Sequence, residues 1–371
     1  MLSISQKGCL DPLLFAHNPV KTLVACFYFL FAVTLAFRCY RHSSFDIDLL
    51  GLAGNVALGD TSDPVSAHRI VYKEHLTPHL RGTDSDDPQA RILRKRASDA
   101  YYSTLYLPYF SIKPLYISVL QLVHKLGANV VDATRIVSAA CFFGIAVAVW
   151  LYTRSALAAV VLILPEVLAL GQANEADGMS VMLLLFGLWA VFLKESNWGV
   201  LAVIASVWVR PDNSLLCYTV LVTLYVLGRL KLYECAVLFG LTFGSNILIS
   251  HFGEGWRALY FHTFLGGEPG QTPHFTAADY LSALARGMTE AMHSSAPAYA
   301  ILWAVCLFGT RDPKLRLVLA LVAAASLARF LMFPNYEPRY YGLFFIVTLA
   351  AGVLYIRDAH LSSQNPALNP Q

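Results

Sequence analysis

The chain has 371 residues, of which 57% are hydrophobic and 14% charged, against about 25% charged in an ordinary soluble domain. A mean hydropathy of +0.54 means more apolar surface than a water-facing globule can hide, which excludes a soluble enzyme. A net charge of +3, scattered along the chain, excludes a nucleic-acid binder, and the seven cysteines form no CxxC pair, against both a zinc site and a disulfide framework. What remains is an all-α polytopic membrane protein, read as one integral-membrane domain over 1–371.

A membrane-crossing helix needs about 20 apolar residues. Ten runs approach that length: 22–37, 133–153, 156–171, 178–193, 198–212, 213–228, 233–250, 297–309, 317–333 and 340–356. The first, TLVACFYFLFAVTLAF, is followed by Arg38 and Arg41 and by no small-residue cleavage site, so it reads as a retained anchor. Runs 198–212 and 297–309 are short, which predicts broken or strongly tilted helices there. Two segments are neither span nor short turn: a first outer loop, 38–132, and a second large outer loop, 251–296. Within the first, DIDLLGLAGNVAL opens an apolar-rich helix, and PLYISVLQLVHKL (114–126) is too short to span and predicts an interfacial or re-entrant helix.

Orientation follows from lysine and arginine in short loops. With the N-terminus in the cytoplasm, the cytoplasmic turns hold Lys7, Lys21, Arg154, Lys194, Arg229, Lys231, Arg311, Lys314, Arg316 and Arg357, while the short outer loop GQANEAD holds none. Both termini are then cytoplasmic. In that arrangement the polar residues beside the spans gather on the outer face: Asp46 and Asp48, Lys113, Glu175 and Asp177, Arg210 and Asp212, His251 and Glu254, His262, Glu337 and Arg339. Ionisable groups near membrane depth are costly and face a cavity or a partner, so a convergent set reads as a site.

The chemistry of each piece follows from its type. Asp46 or Asp48, directly after the first span, can accept a proton from an attacking hydroxyl, or can serve as a charge favourable to a helix N-terminus. Lys113 before Pro114 can hold a lipid phosphate as a point charge, or can snorkel. Arg210, in RPDNS, presents a fork suited to phosphate or to a structural pair with Asp212 or Glu175. Glu337 and Arg339 flank a proline in NYEPRYYG, and Arg329 in the preceding span needs a partner or a phosphate. His251 and His262 lack ligand-like spacing with acids, so no metal site is expected.

In this order the pieces resemble the GT-C class of integral-membrane glycosyltransferases, which use polyprenyl-phosphate-linked sugars and are similar to the dolichyl-phosphate-mannose and aminoarabinose transferases. The resemblance rests on SSFDIDLLGLAGNVALGD after the first span, IKPLYISVLQLVHKLG, ATRIVSAACFFGIAVAVWLYTR, NEADGMSVMLLLFGLWAVFLKES, SVWVRPDNSLL and EPRYYGLFFIVTLAAG, covering 44–215 and 329–356. It departs from the family where adjacent acids are replaced by Asp46-Ile47-Asp48, and in lacking a sizeable soluble C-terminal domain. It implies inverting sugar transfer on the outer, periplasmic or lumenal, face. Asp46 or Asp48 is then the catalytic carboxylate, with Asp46 favoured by the family's small-residue register. Lys113, Arg210 and Arg339 are donor-phosphate ligands, and Glu175, Asp177, Asp212 and Glu337 are site acids toward the acceptor.

No cofactor is implied besides the lipid-linked donor, and dependence on a divalent metal stays open. The expected partners are the polyprenyl-phosphate sugar and membrane lipids, with a glycan, lipid or protein acceptor and no nucleic acid. The absence of an N-x-S/T sequon points toward a bacterial inner membrane. The alternative is a transporter or flippase of a polar-headed lipid or polyprenyl-linked saccharide, using the same outer cavity for binding alone.

Overall fold

The computed structural model describes residues 19–43, 47–76, 88–265 and 271–364. Among the described residues every regular element is helical, the form in which a lipid-embedded segment satisfies its own amides. The chain begins with α1 (Pro19–Arg41) and α2 (Ile47–Thr61). After short helices at Pro64–His68, Pro88–Ser98 and Ala100–Thr104 it forms α3 (Leu107–Ser111) and α4 (Pro114–Lys125). Next come α5 (Val130–Thr153), α6 (Pro165–Gln172), α7 (Ala176–Leu188, continued by a π turn to Leu193), α8 (Gly199–Val209), α9 (Ser214–Val226) and α10 (Leu232–Ser250). The last elements are α11 (Gly255–Leu265), α12 (Ala277–Met292), α13 (Ala296–Gly309), α14 (Pro313–Met332) and α15 (Gly342–Gln364).

Six of these helices are long and apolar enough to cross a membrane: α1, α5, α7 with its π turn, α10, α14 and α15 with the turn before it. A seventh is formed if α12 and α13, bent by 74°, count together. The protein is a multi-pass membrane protein by this architecture. The ten apolar runs therefore do not all become full-length helices, and the reasons are local. Run 156–171 breaks into a 3-10 turn, a helix at Ala159–Leu162, and α6 starting at Pro165. Runs 198–212 and 213–228 become α8 and α9, of 11 and 13 residues, separated at Pro211. At 1.5 Å per residue they reach about 16–20 Å, short of a hydrocarbon core of about 30 Å. Proline ends α8 because it has no N–H and clashes with the preceding turn. Segment 114–126 is α4, a 12-residue helix opened by Pro114 and packed against α2 and α5.

Two apolar clusters hold the helices together. In the bundle, Phe142 and Ile145 of α5, Leu185 of α7, Val203 of α8, Leu221 of α9, Val318 of α14 and Ile346 of α15 are fully buried against one another. A second cluster joins Leu49, Leu50, Leu52 and Ala53 of α2 to Tyr116 and Leu120 of α4 and Cys141 of α5. The glycines of α2 make this approach possible. A Cβ at Gly51 would run into the Phe110 ring of α3, and one at Gly54 would lie 2.8 Å from Leu107. The consequence is positional: Asp48, in the first turn of α2, comes to lie beside the α3–α4 junction that carries Lys113. On the outside, α10 exposes Leu232, Val237, Phe239, Leu241, Phe243 and Leu248, the surface expected of a helix facing lipid.

The bundle has two unlike ends. At one, Arg357 donates to the Thr153 carbonyl at 2.9 Å, Arg229 donates to the Val191 carbonyl at 2.6 Å and to Asn197 at 2.9 Å, and Lys314 meets Glu195 at 2.6 Å. At the other, the starts of α2, α4, α7 and α9 and the ends of α8 and α14 surround a cavity.

Candidate functional site: a charged cavity with an aromatic wall

The helix termini explain why charge gathers at this end. Asp48 lies in the first turn of α2, Glu175 caps α7, and Asp177 lies in its first turn, each an acid at the positive end of a helix dipole. Arg210 follows α8 and Arg329 sits in the last turn of α14, each at a negative end. Asp212 is carried by the 3-10 turn Pro211–Asn213, and Glu337 and Arg339 by the turn between α14 and α15. Lys113 is the exception. It is the cap residue at the start of α4, where the dipole disfavours a cation and favours an anion.

These side chains line one cavity of about 680 Å³, together with Tyr106, Tyr109, Trp256, His262 and Tyr340. Arg339 holds three parts of the chain: it donates to Asp48 Oδ2 at 3.0 Å and to Glu337 Oε2 at 2.6 Å, and pairs with Glu175. Arg210 pairs with Asp177 and, through Nε and Nη2, with both oxygens of Asp212 at 3.1 and 2.9 Å. Arg329 donates from Nε to Asp212 at 2.9 Å and from Nη1 to the Tyr341 hydroxyl at 3.3 Å. The Tyr340 ring is the hub of the set. Arg210, Arg329 and Arg339 lie 4.6, 4.2 and 5.0 Å from its centroid, within cation–π range. Glu175 and Asp177 are each only 4% exposed, so their charges depend on these arginines.

Lys113 stands apart from the network. Among the described residues it makes no salt bridge, and its Nζ lies 5.8 Å from the centroid of the Phe110 ring. Burial pushes its ammonium down to about 8; Asp48 opposes the shift and Arg210 and Arg339 add to it. Burial likewise holds the Glu337 carboxyl above its usual range, against the Asn335 amide that lowers it. Asp48 Oδ2 is taken by Arg339, while no described residue bonds its Oδ1.

Of the residues singled out from the sequence, Asp48, Lys113, Glu175, Asp177, Arg210, Asp212, His262, Glu337 and Arg339 thus share one cavity. Asp46 lies outside the described residues. Glu254 lines a neighbouring slot with Pro108, Ile112, Pro211, Ile249, Trp256 and Leu259, and His251 bonds the Ile247 carbonyl at 2.7 Å. Arg210 takes up pairs with Asp177 and Asp212 rather than with Glu175. Tyr340 and Trp256 are additions that sequence reasoning did not find. The tyrosine-rich turn NYEPRYYG carries a signal for the first, whereas Trp256, a single tryptophan at the start of α11, carries none. Among the described residues no three His, Cys, Asp or Glu side chains converge as ligands of one metal ion. Comparison of the chain with protein families, with curated proteins and with solved structures finds no match.

Proposed function

We propose that this chain is an inverting glycosyltransferase that moves a sugar from a polyprenyl-phosphate-linked donor to an acceptor hydroxyl at the outer face of the membrane. The observation that carries the reading is the pairing of two groups in one cavity: a lysine at a helix N-terminus with no ion pair among the described residues, and a carboxylate with one oxygen that no described residue bonds. A sugar phosphodiester carries a single negative charge, and one unpaired cation is its complement. The phosphate binds Lys113 and the N-terminus of α4, helped by Arg210, which has five N–H donors and spends three on Asp177 and Asp212. Arg339, with contacts to Asp48, Glu175, Asp177, Glu337 and Tyr340, acts chiefly as the frame of the site. Glu175, Asp177, Asp212 and Glu337 hold the arginines in place.

In the reaction the acceptor oxygen attacks the anomeric carbon opposite the phosphate, and the carbon–oxygen bond to phosphate breaks. The phosphate leaves with the bonding electrons, and the hydroxyl proton passes to the carboxylate of Asp48, or of Asp46 as the resemblance implies. Positioning and charge stabilisation carry the catalysis. The aliphatic side of the narrow slot, Pro108, Ile112, Pro211, Ile249 and Leu259, which also carries Asn246, Ser250 and Glu254, lies near the lipid-facing α10 and is the proposed approach of the isoprenoid chain.

The basic end of the bundle is read as cytoplasmic by the distribution of lysine and arginine, which places the cavity and both long loops outside. Counting α6 with the turns before it, α8, α9 and α13 as shorter passages supports ten crossings, both termini in the cytoplasm, and a bacterial plasma membrane as the location. The test is direct. Protein purified in nanodiscs and given a farnesyl-phosphate-linked sugar with membrane acceptors is expected to release farnesyl phosphate as the sugar is transferred. Movement of the intact lipid across proteoliposomes without cleavage would establish the transporter instead.

A further inference from the structure

Part of the cavity wall is built differently from the charged part. Helices α3 and α11 contribute Tyr106, Tyr109, Trp256 and His262 to the lining. The His262 ring lies 5.5 Å from Tyr106 and 5.0 Å from Tyr109, and the two tyrosines are 6.2 Å apart. The Tyr106, Tyr109 and His262 rings form a connected set, anchored by Tyr106, which is buried in the cluster of α2 and α4. Trp256 is 41% exposed and borders both the cavity and the apolar slot. The wall begins where the anion site ends, since Phe110, beside Tyr109 on α3, is the ring beneath Lys113.

We propose that this wall is a pyranose platform, and that it sets which sugar the site accepts. A pyranose ring has an apolar face of C–H groups and a rim of hydroxyls. Aromatic rings take the face, and their polar tips with nearby carboxylates take the rim, a division that a purely aliphatic lining cannot offer. The narrow slot beside it has Pro108, Ile112, Pro211, Ile249 and Leu259 on its aliphatic side, Asn246, Ser250 and Glu254 at its polar edge, and shares Tyr109 and Trp256 with the wall. Its aliphatic side offers contact to hydrocarbon rather than to a sugar face. A ligand with phosphate at Lys113 therefore has its hydrocarbon toward the slot and its sugar against Tyr106, Tyr109, Trp256 and His262. The inference rests on the transferase reading for its lipid-linked donor, but sugar contact can be measured without that donor.

The probes are methyl pyranosides of glucose, galactose and mannose, observed by saturation-transfer NMR on protein in a detergent without sugar headgroups, and farnesyl phosphate measured in parallel by calorimetry. Wild-type protein is expected to saturate the C–H protons of one pyranoside face. Trp256→Ala and His262→Ala are expected to weaken that contact by about three- to tenfold, and farnesyl phosphate affinity is expected to hold in His262→Ala, whose ring lines the cavity and not the slot. Trp256→Phe, which keeps an aromatic face, is expected to retain most of the contact. Absence of transfer to any pyranoside, transfer unchanged in both alanine variants, or equal losses in the alanine and phenylalanine variants with a lowered unfolding midpoint would each overturn the platform. Pyranoside contact without farnesyl phosphate binding would retire the lipid-linked donor and leave the platform standing. Farnesyl phosphate binding without pyranoside contact would do the reverse.

Discussion

At the cavity end, three arginines are shared among five carboxylates, with Glu175 and Asp177 almost wholly removed from water. At the opposite end Lys314 and Glu195 pair with side chains 46% and 62% exposed. There Arg357 pairs with its own neighbour Asp358, and Arg229 and Arg357 close free carbonyls of other helices. The two ends have similar residue types and different physics. Burying an ion pair costs several kcal/mol of desolvation per charge before its attraction is counted, and apolar residues of the same shape often serve stability as well. A bundle that needed only to stand would not collect such groups from five parts of its chain. On the proposed function, the costly end is the one that binds and reacts.

The largest effect is expected at the carboxylate facing the cavity. Asp48→Asn keeps the shape and removes the proton acceptor, so turnover of a farnesyl-linked donor should fall about a hundredfold or more, with donor affinity nearly unchanged. Asp46→Asn is expected to be milder. The opposite ordering would return the role to Asp46, where the family register puts it.

Next in size is the frame. Arg339→Ala strips Glu175 of the partner that balances its buried charge, and leaving such a charge alone costs about 3–5 kcal/mol. A markedly lower midpoint of thermal unfolding is expected, partly restored when Glu175→Gln is added, because the orphaned charge is then gone. If Arg339→Ala unfolds like the wild type, the network is not the structural keystone its contacts imply.

Lys113 gives a pH signature that the far end cannot. Its lowered value of about 8 means the charged form holds an anion below that pH and is lost above it. Affinity for farnesyl phosphate should therefore fall about tenfold from pH 7 to 9. Stability should move the other way. The folded value lies below the unfolded one of about 10.4, so the unfolded chain binds more protons between them and stability rises with pH across that window. Lys113→Arg should bind at both pH values, and Lys113→Met should lose both trends. Affinity that stays flat in the wild type would place the phosphate elsewhere.

The sequence makes much of this end legible because its signals are local. Asp48, Glu175, Asp177, Arg210 and Arg339 each stand next to an apolar run, and the switch from apolar to charged is visible one residue at a time. What is hidden depends on distance along the chain or on helix geometry. Arg329 meets Asp212 across 117 positions, and which acid serves which arginine cannot be read from spacing. The break at Pro211 is legible, since proline interrupts the apolar stretch there, but hydropathy does not report that the helices on either side are only 11 and 13 residues long. Trp256 carries no periodicity, and its place in the cavity follows only from how α11 folds back over α3. The glycines of α2 fall between these cases: their rhythm is plain in LLGLAGNVALG, and the Phe110 ring that requires Gly51 is not.

The smallest effect is expected at the basic end and sharpens the comparison by its smallness. Lys314→Ala removes a 2.6 Å ion pair with Glu195, a contact as short as the one Arg339 makes with Glu337. Distance alone would rank the two losses together. Exposure separates them: both partners keep water when the pair is broken, the attraction acts through a high dielectric, and ordering two long side chains offsets much of it. The unfolding midpoint of Lys314→Ala should match the wild type within error. In the wild type, raising salt should weaken this pair while leaving the Arg339 network intact, because surface charges are screened and buried ones far less so. A Lys314→Ala loss as large as that of Arg339→Ala would mean that short pairs matter equally at both ends, and the argument that burial marks the functional end would fall with it.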